Sequence, residues 1–209
     1  MIRRFLPALF LVLLAACRWP GLLPPNFSPV YALVFCAGAF WPGRGGWQWP
    51  LAVLLASDLI LDLYYHVSLL DGYLVLNYAG YAVLFLIGRR LSKRQSFVKL
   101  LAGGMLGAVL FYVITNTAAW VNPAPGPLPQ APYPQTLLGW LQALTVGSAP
   151  WPPTWTFFRN TLLSGGLFTG VFVGLMRLCG WESVTDADAV EDEEEEEAES
   201  PAGEPEESD

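Results

Sequence analysis

Long apolar runs recur along the chain, and short polar or Pro- and Gly-containing segments separate them. A helix needs about 20 mainly apolar residues to cross a bilayer. On that criterion the sequence predicts six membrane-spanning helices, over residues 4–18, 28–43, 48–66, 70–89, 98–119 and 157–179. The first two are short, and we expect them to rely on packing against longer neighbours. The predicted fold is therefore an all-α membrane protein, a bundle of about six transmembrane helices.

Charge is distributed unevenly along this pattern. Of the 18 acidic residues, 15 lie at or after Glu182, whereas all 11 Lys and Arg residues precede it. Residues 1–181 thus carry 11 basic against 3 acidic residues, a net charge of +8. An acidic stretch with few apolar residues has no core to join. We expect a transmembrane domain over residues 1–181 and a disordered acidic cytoplasmic tail over 182–209.

Basic residues also predict the orientation, because cytoplasmic segments of membrane proteins collect Lys and Arg. With both termini inside, nine basic residues fall on the inner side, and only Arg18 and Arg159 fall outside. Both termini are therefore predicted to be cytoplasmic. An alternative remains open at the start of the chain. Arg3 and Arg4, an apolar core and Leu14-Ala15-Ala16-Cys17 also match a lipoprotein signal with its cleavage cysteine, which would leave five spans.

The predicted outer link, residues 120–156, contains no charged side chain but has four Trp, one Tyr and many Pro residues. Residues 135–147 are predicted to form a short helix at the membrane interface, the depth that Trp and Tyr prefer. Two interpretations stay open for this link. It is an aromatic belt, or it is a lid over an outward-facing cavity.

Polar side chains inside a bilayer are costly and call for a partner or a function. In the predicted topology they concentrate in the outer half of the membrane, and we expect them to line an outward-open binding pocket. The candidate substrate-binding residues are Asn26, Asp58, Asp62, Asn77, Asn116, Trp120, Arg159 and Asn160. The alternative is a buried Asp–Arg pair with Asn hydrogen bonds that only fixes helix register, because polar residues also hold membrane helices together.

Two glycine stripes at four-residue spacing predict close helix approaches. They are Gly103 with Gly107, and Gly166 with Gly170 and Gly174. Either internal packing or a docking face for another membrane subunit would explain such stripes.

The sequence contains no P-loop, zinc motif or nucleophile elbow. We therefore expect no cofactor, no metal and no enzymatic activity, although Asp58 and Asp62 leave a paired-carboxylate intramembrane enzyme as a minor alternative. A solute moved against its gradient would need an ion gradient or a separate protein as energy source.

Several short strings carry a resemblance to a known family. Pro24-Pro25-Asn26-Phe27-Ser28-Pro29-Val30 is the most specific, and Ser57-Asp58-Leu59, Asn116 to Trp120 and Tyr133-Pro134-Gln135-Thr136 accompany it. Over roughly residues 20–178 the chain resembles an uncharacterised bacterial family of multi-pass membrane proteins, a domain of unknown function. The layout of that family is similar to the S components of energy-coupling factor transporters, six-helix bundles that capture micronutrients from outside.

The resemblance implies a substrate-binding subunit for uptake of a small micronutrient in the bacterial inner membrane. Its implied partners are the lipid bilayer, a transmembrane coupling subunit and paired ATPases, with no role for nucleic acid. The alternative hypothesis is a structural or assembly membrane protein without transport activity.

Overall fold

The computed structural model describes residues 10, 12–13, 15–41, 45–66, 72–91, 95–121 and 133–179. Within these ranges the chain is helical and contains no strand. The six helices with defined bounds are α1 Val30–Phe40, α2 Gly45–Tyr65, α3 Gly72–Leu91, α4 Phe97–Val121, α5 Leu137–Leu144 and α6 Thr154–Leu178. Residues 10, 12–13 and 15–17 are also helical, before α1. The predicted tail, residues 182–209, lies outside the described residues.

Three helices are long and apolar enough to cross a membrane, over Leu74–Leu91, Phe97–Val121 and Thr154–Leu178. These correspond to the fourth, fifth and sixth predicted spans. Helix α1 is apolar but has only 11 residues. Helix α2 has 21 residues, but it carries Asp58 and Asp62 and is not among the three. By length and composition, then, the chain is a membrane protein with at least three candidate spans among its described helices.

Helix α1 lies at the centre of the bundle. All eleven of its residues are buried, as expected of a helix that is apolar on every side. It packs against α3 and α6, and α4 closes the ring by packing against the same two helices. This enclosure explains how a short helix is accommodated, as the sequence predicted. Helix α2 lies outside the ring and makes its main helix contacts with α1.

Glycine permits a close approach of the α1 and α3 backbones. A Cβ atom added to Gly88 would overlap the carbonyl oxygen of Phe35, and one added to Gly38 would overlap that of Phe85. The two backbones therefore touch at a reciprocal pair of glycines, a geometry known from small-residue membrane packing.

The two predicted glycine stripes differ in their surroundings. Added Cβ atoms on Gly103 and Gly107 would overlap the side chains of Leu91 and Leu84, so this stripe packs inside the bundle. On α6, a Cβ on Gly170 would make only ordinary contacts, and one on Gly174 would meet nothing within 4 Å. The residues of α6 that approach α4 closely are instead Gly165 and Thr169.

The ends of the bundle differ in chemistry. One end, which we call the basic end, carries Arg89, Arg90, Lys99 and Arg177. There the Arg177 guanidinium donates to the carbonyl oxygen of Gln95, which ties the end of α6 to the segment before α4. The opposite end, which we call the cavity end, contains the segment before α1, the last turns of α2 and α4, and the first turns of α3 and α6.

Candidate functional site

A proline-rich segment covers the cavity end, and we call residues 18–29 the proline loop. Prolines at positions 20, 24, 25 and 29 prevent a continuous helix, because each lacks an N–H donor. The chain instead turns twice in the left-handed region, at Gly21 with φ 78° and at Asn26 with φ 58°. Gly and Asn are the residues that adopt this conformation most readily.

Helix α6 holds the proline loop in place. The Asn160 side-chain amide donates to the carbonyl oxygen of Pro25 at 2.9 Å. The rings of Phe27 and Phe168 meet edge to face, with centroids 5.9 Å apart. One polar and one aromatic contact thus fix the loop over the helix ends.

A cavity of about 400 Å³ lies beneath the proline loop. Volumes of this size are typical of small-molecule sites. The loop supplies one wall, and Leu61 of α2, with residues of α1, α3 and α4, supplies the rest. Polar side chains in the lining include Arg18, Asn26, Ser28, Asn77 and Thr115, together with the hydroxyl-bearing rings of Tyr31 and Tyr81. A polar cavity therefore opens into one end of a mainly apolar bundle.

An ion pair joins the cavity wall to α2. The Arg18 guanidinium contacts Oδ1 of Asp58, and the two side chains are 15% and 16% exposed. The Tyr78 hydroxyl donates to Oδ2 of the same carboxylate at 2.6 Å. Since both carboxylate oxygens have donors, Asp58 is well satisfied although it is largely buried.

Aromatic rings form the floor of the cavity. The Tyr81 and Phe111 rings stack with centroids 4.9 Å apart and planes 20° apart. The Tyr31 ring lies 5.0 Å from that of Phe111. Together with the polar wall, these rings give the cavity both aromatic and hydrogen-bonding lining groups.

The proline loop, the helices and the cavity all fall within residues 1–187, which match the model of DUF6580, a family of unknown function. That match covers most of the 209 residues. The chain belongs to the DUF6580 family. The search of curated proteins and the search of solved structures gave no match.

In this DUF6580 protein only some of the sequence-predicted residues meet at the cavity. Asn26 and Asn77 line it directly, from the proline loop and from α3. Asp58 lies behind the wall and reaches the cavity through Arg18. Asp62 is half-buried one turn further along α2 and does not belong to the described lining.

The other four predicted residues have different surroundings. The Asn116 amide donates to the Tyr112 carbonyl of its own helix at 2.9 Å. The Arg159 guanidinium lies on the exposed surface, 5.7 Å from the ring centroid of Trp155. Trp120 contacts the segment before α5, and Asn160 anchors the proline loop. None of the four belongs to the described lining.

Sequence reasoning missed the groups that organise the site, Arg18, Tyr78 and Tyr81. Two signals pointed to Arg18 and Tyr81. Arg18 is one of only two basic residues at the predicted outer side. Asn77 and Tyr81 are spaced by four residues, which places them on the same face of α3.

Two hydrogen bonds hold the aromatic segment between α4 and α6, residues 133–153, against α4. The Trp120 indole donates to the carbonyl oxygen of Pro134 at 2.8 Å, and the Trp140 indole donates to Oγ1 of Thr117 at 2.9 Å. Thr136 caps α5 by accepting from the amide of Gly139. Among described residues, none of 133–153 lines the cavity, whereas the proline loop does. The predicted short helix is confirmed as α5, and the cover of the cavity is the proline loop.

The Tyr112 hydroxyl is the central link between α4 and this segment, since it lies 2.6 Å from the carbonyl oxygen of Leu144 and 3.2 Å from that of Thr154. We expect Tyr112→Phe to lower the free energy of unfolding by about 2 kcal/mol, because it removes a buried donor from two carbonyls. Thermal melting of the detergent-solubilised protein measures this. As a control, Trp151→Phe at a side chain that is 66% exposed should change the melting temperature very little. Equal melting of both variants would contradict the assigned role.

Proposed function

We propose that this protein is a substrate-binding membrane subunit that captures a small solute in the cavity beneath the proline loop. The observation that carries the proposal is the polar cavity at one end of a mainly apolar bundle. Polar groups at such a place are expensive in a membrane, and substrate pathways are a common reason for their presence. The pattern of polar wall and aromatic floor is typical of small-molecule sites.

We further propose the topology of this subunit. Six spans, with both termini in the cytoplasm of a bacterial cell, would place the cavity end outside and the basic end inside. Among the described residues, Arg89, Arg90, Lys99 and Arg177 would then face the cytoplasm, as the positive-inside rule requires. Capture from outside, as by an S component, suits a cavity in this position.

A capture subunit of this kind needs an energy source, and the sequence carries no nucleotide-binding motif. Uptake would therefore require a separate transmembrane coupling subunit with ATPases. Rocking or toppling of the bundle would move the solute, and no covalent step is involved.

The second candidate function is a structural or assembly role. It is favoured by the satisfaction of Asp58, whose two oxygens are bound by Arg18 and Tyr78. Such a closed network fixes helix register without any ligand.

A pair of asparagine substitutions distinguishes these functions. We expect native mass spectrometry of the purified protein to detect a bound small molecule, and Asn77→Leu to abolish its retention. Asn116→Leu is the matched control, because among the described residues the Asn116 amide bonds only to its own helix. Retention should survive in that variant. Absence of any retained solute in the wild type, with no stabilisation by a panel of cofactor precursors, would favour the assembly role.

A further inference from the structure

The charge of the cavity lining indicates what kind of solute it accepts. Among the described lining residues, Arg18 is the one charged side chain, and no Asp, Glu, Lys or His accompanies it. The Asp58 carboxylate pairs with Arg18 but does not line the cavity. A solute inside the cavity is therefore in direct reach of the Arg18 guanidinium, whereas the Asp58 carboxylate lies behind that guanidinium.

The described side chains of the lining carry many hydrogen-bond donors without a partner. A neutral or cationic solute would not need so many donors. A guanidinium has five N–H donors. In the structure one of the Arg18 nitrogens donates to Asp58, and the Nε atom is buried without a partner. Asn26 and Asn77 each add an amide group, which carries two donors. Ser28 accepts from the amide of Val30 at 3.2 Å, so its own proton remains available to donate.

The shape of the cavity further restricts the class of solute that fits. Tyr81 and Phe111 present a stacked pair of rings beneath the donors, and Tyr31 extends this floor. Flat rings prefer to pack against other flat groups in offset-stacked or edge-to-face arrangements. A volume of about 400 Å³ admits a small molecule but not a peptide or a lipid with long chains.

We infer that the solute is a small organic monocarboxylate with a planar, unsaturated body. This inference rests on the proposed capture function and specifies its substrate class. The carboxylate accepts hydrogen bonds from Arg18 and from the amides of Asn26 and Asn77, and the planar body lies against Tyr81 and Phe111. One lining cation matches one negative charge, so a dianionic phosphate ester fits less well.

The role of Asp58 follows from this arrangement. It holds the guanidinium in place through one edge, and it also weakens the attraction of Arg18 for an incoming carboxylate. Neutralising Asp58 should therefore strengthen binding of an anion. If the Arg18–Asp58 pair served only to fix helix register, neutralising Asp58 would instead weaken binding, because loss of the ion pair would loosen the site.

The test uses the full-length protein in detergent and four probes of similar size: benzoate, benzamide, benzylamine and cyclohexanecarboxylate. Isothermal titration calorimetry measures binding, and thermal shift supports it. We expect benzoate to bind about tenfold more tightly than benzamide, because a charge-assisted hydrogen bond to a guanidinium is lost in the amide. Cyclohexanecarboxylate should bind more weakly than benzoate, and benzylamine should not bind.

Two variants assign this preference to the ion pair. Asp58→Asn keeps an oxygen that accepts from Tyr78, and we expect it to lower the benzoate Kd by about threefold to tenfold. Arg18→Gln combined with Asp58→Asn leaves no unpaired charge, and it should bind benzoate and benzamide equally. Its folding is checked by its elution as a single species in size-exclusion chromatography.

The outcomes separate the two proposals. A tenfold preference for benzoate that Asp58→Asn strengthens and the double variant abolishes supports the monocarboxylate. If benzamide or benzylamine binds as tightly as benzoate, and Asn77→Leu blocks that binding, the monocarboxylate inference is overturned while the capture function stands. If no probe binds and no solute is retained from the cell, both are overturned.

Discussion

Replacement of Gly88 by alanine is expected to destabilise the bundle by about 3 kcal/mol, at the upper end of the usual cost of overpacking. The added methyl group would overlap the carbonyl oxygen of Phe35 on α1. A backbone oxygen cannot rotate away as a side chain does, so α1 and α3 would have to separate. Because α1 is buried along its whole length, this separation would disturb its packing with α6 as well.

The melting temperature in detergent and the monodisperse fraction after size-exclusion chromatography measure this effect. A loss of about 3 kcal/mol corresponds to roughly 10 °C for a chain of this length. The matched control is Gly174→Ala on α6, where an added Cβ meets nothing within 4 Å. That change should be neutral or slightly stabilising, because alanine is the better helix former. If the melting temperature of Gly88→Ala lay within 2 °C of the wild-type value, the contact between α1 and α3 would be less close than the structure shows.

The second large effect is expected at the ion pair between Arg18 and Asp58. Arg18→Met would leave the Asp58 carboxylate largely buried with only Tyr78 as donor, and Asp58→Leu would leave the guanidinium uncompensated. Each change is expected to cost about 4 kcal/mol, the range measured when one member of a buried pair is removed. The paired change Arg18→Met/Asp58→Leu should recover most of that loss, because no charge remains buried.

The double variant also separates the two candidate functions. A capture subunit would fold with these apolar replacements but would no longer retain its solute. A protein whose ion pair only fixes register would keep its cellular function when both members are replaced together. A double variant that is as unstable as the worse single variant would show that the cost arises from lost packing and not from unpaired charge. On the same preparation, thermal melting measures the stability of each variant and native mass spectrometry measures its retention of solute.

Much of the fold was predictable from the sequence because hydrophobic periodicity and chain length are local properties. The predicted segments 28–43, 48–66, 70–89, 98–119 and 157–179 correspond to α1, α2, α3, α4 and α6, with ends that differ by a few residues. The stretch 135–147 corresponds to α5, at Leu137–Leu144. The concentration of polar residues towards one end of the helices was also visible, and it pointed to Asn26 and Asn77 of the cavity wall.

Which polar groups meet could not be predicted from the sequence. Arg18 and Arg159 are both basic residues at the predicted outer side, yet Arg18 pairs with Asp58, 40 positions away, while Arg159 stacks on Trp155. Asn77 and Asn116 look alike in sequence, but one lines the cavity and the other bonds to its own helix. Partner choice depends on how each helix is rotated about its axis, and side-chain packing between neighbouring helices determines that rotation. Local sequence patterns thus specify the helices and the polar end of the bundle, whereas the packing of the helices selects which charged residue forms the wall of the cavity.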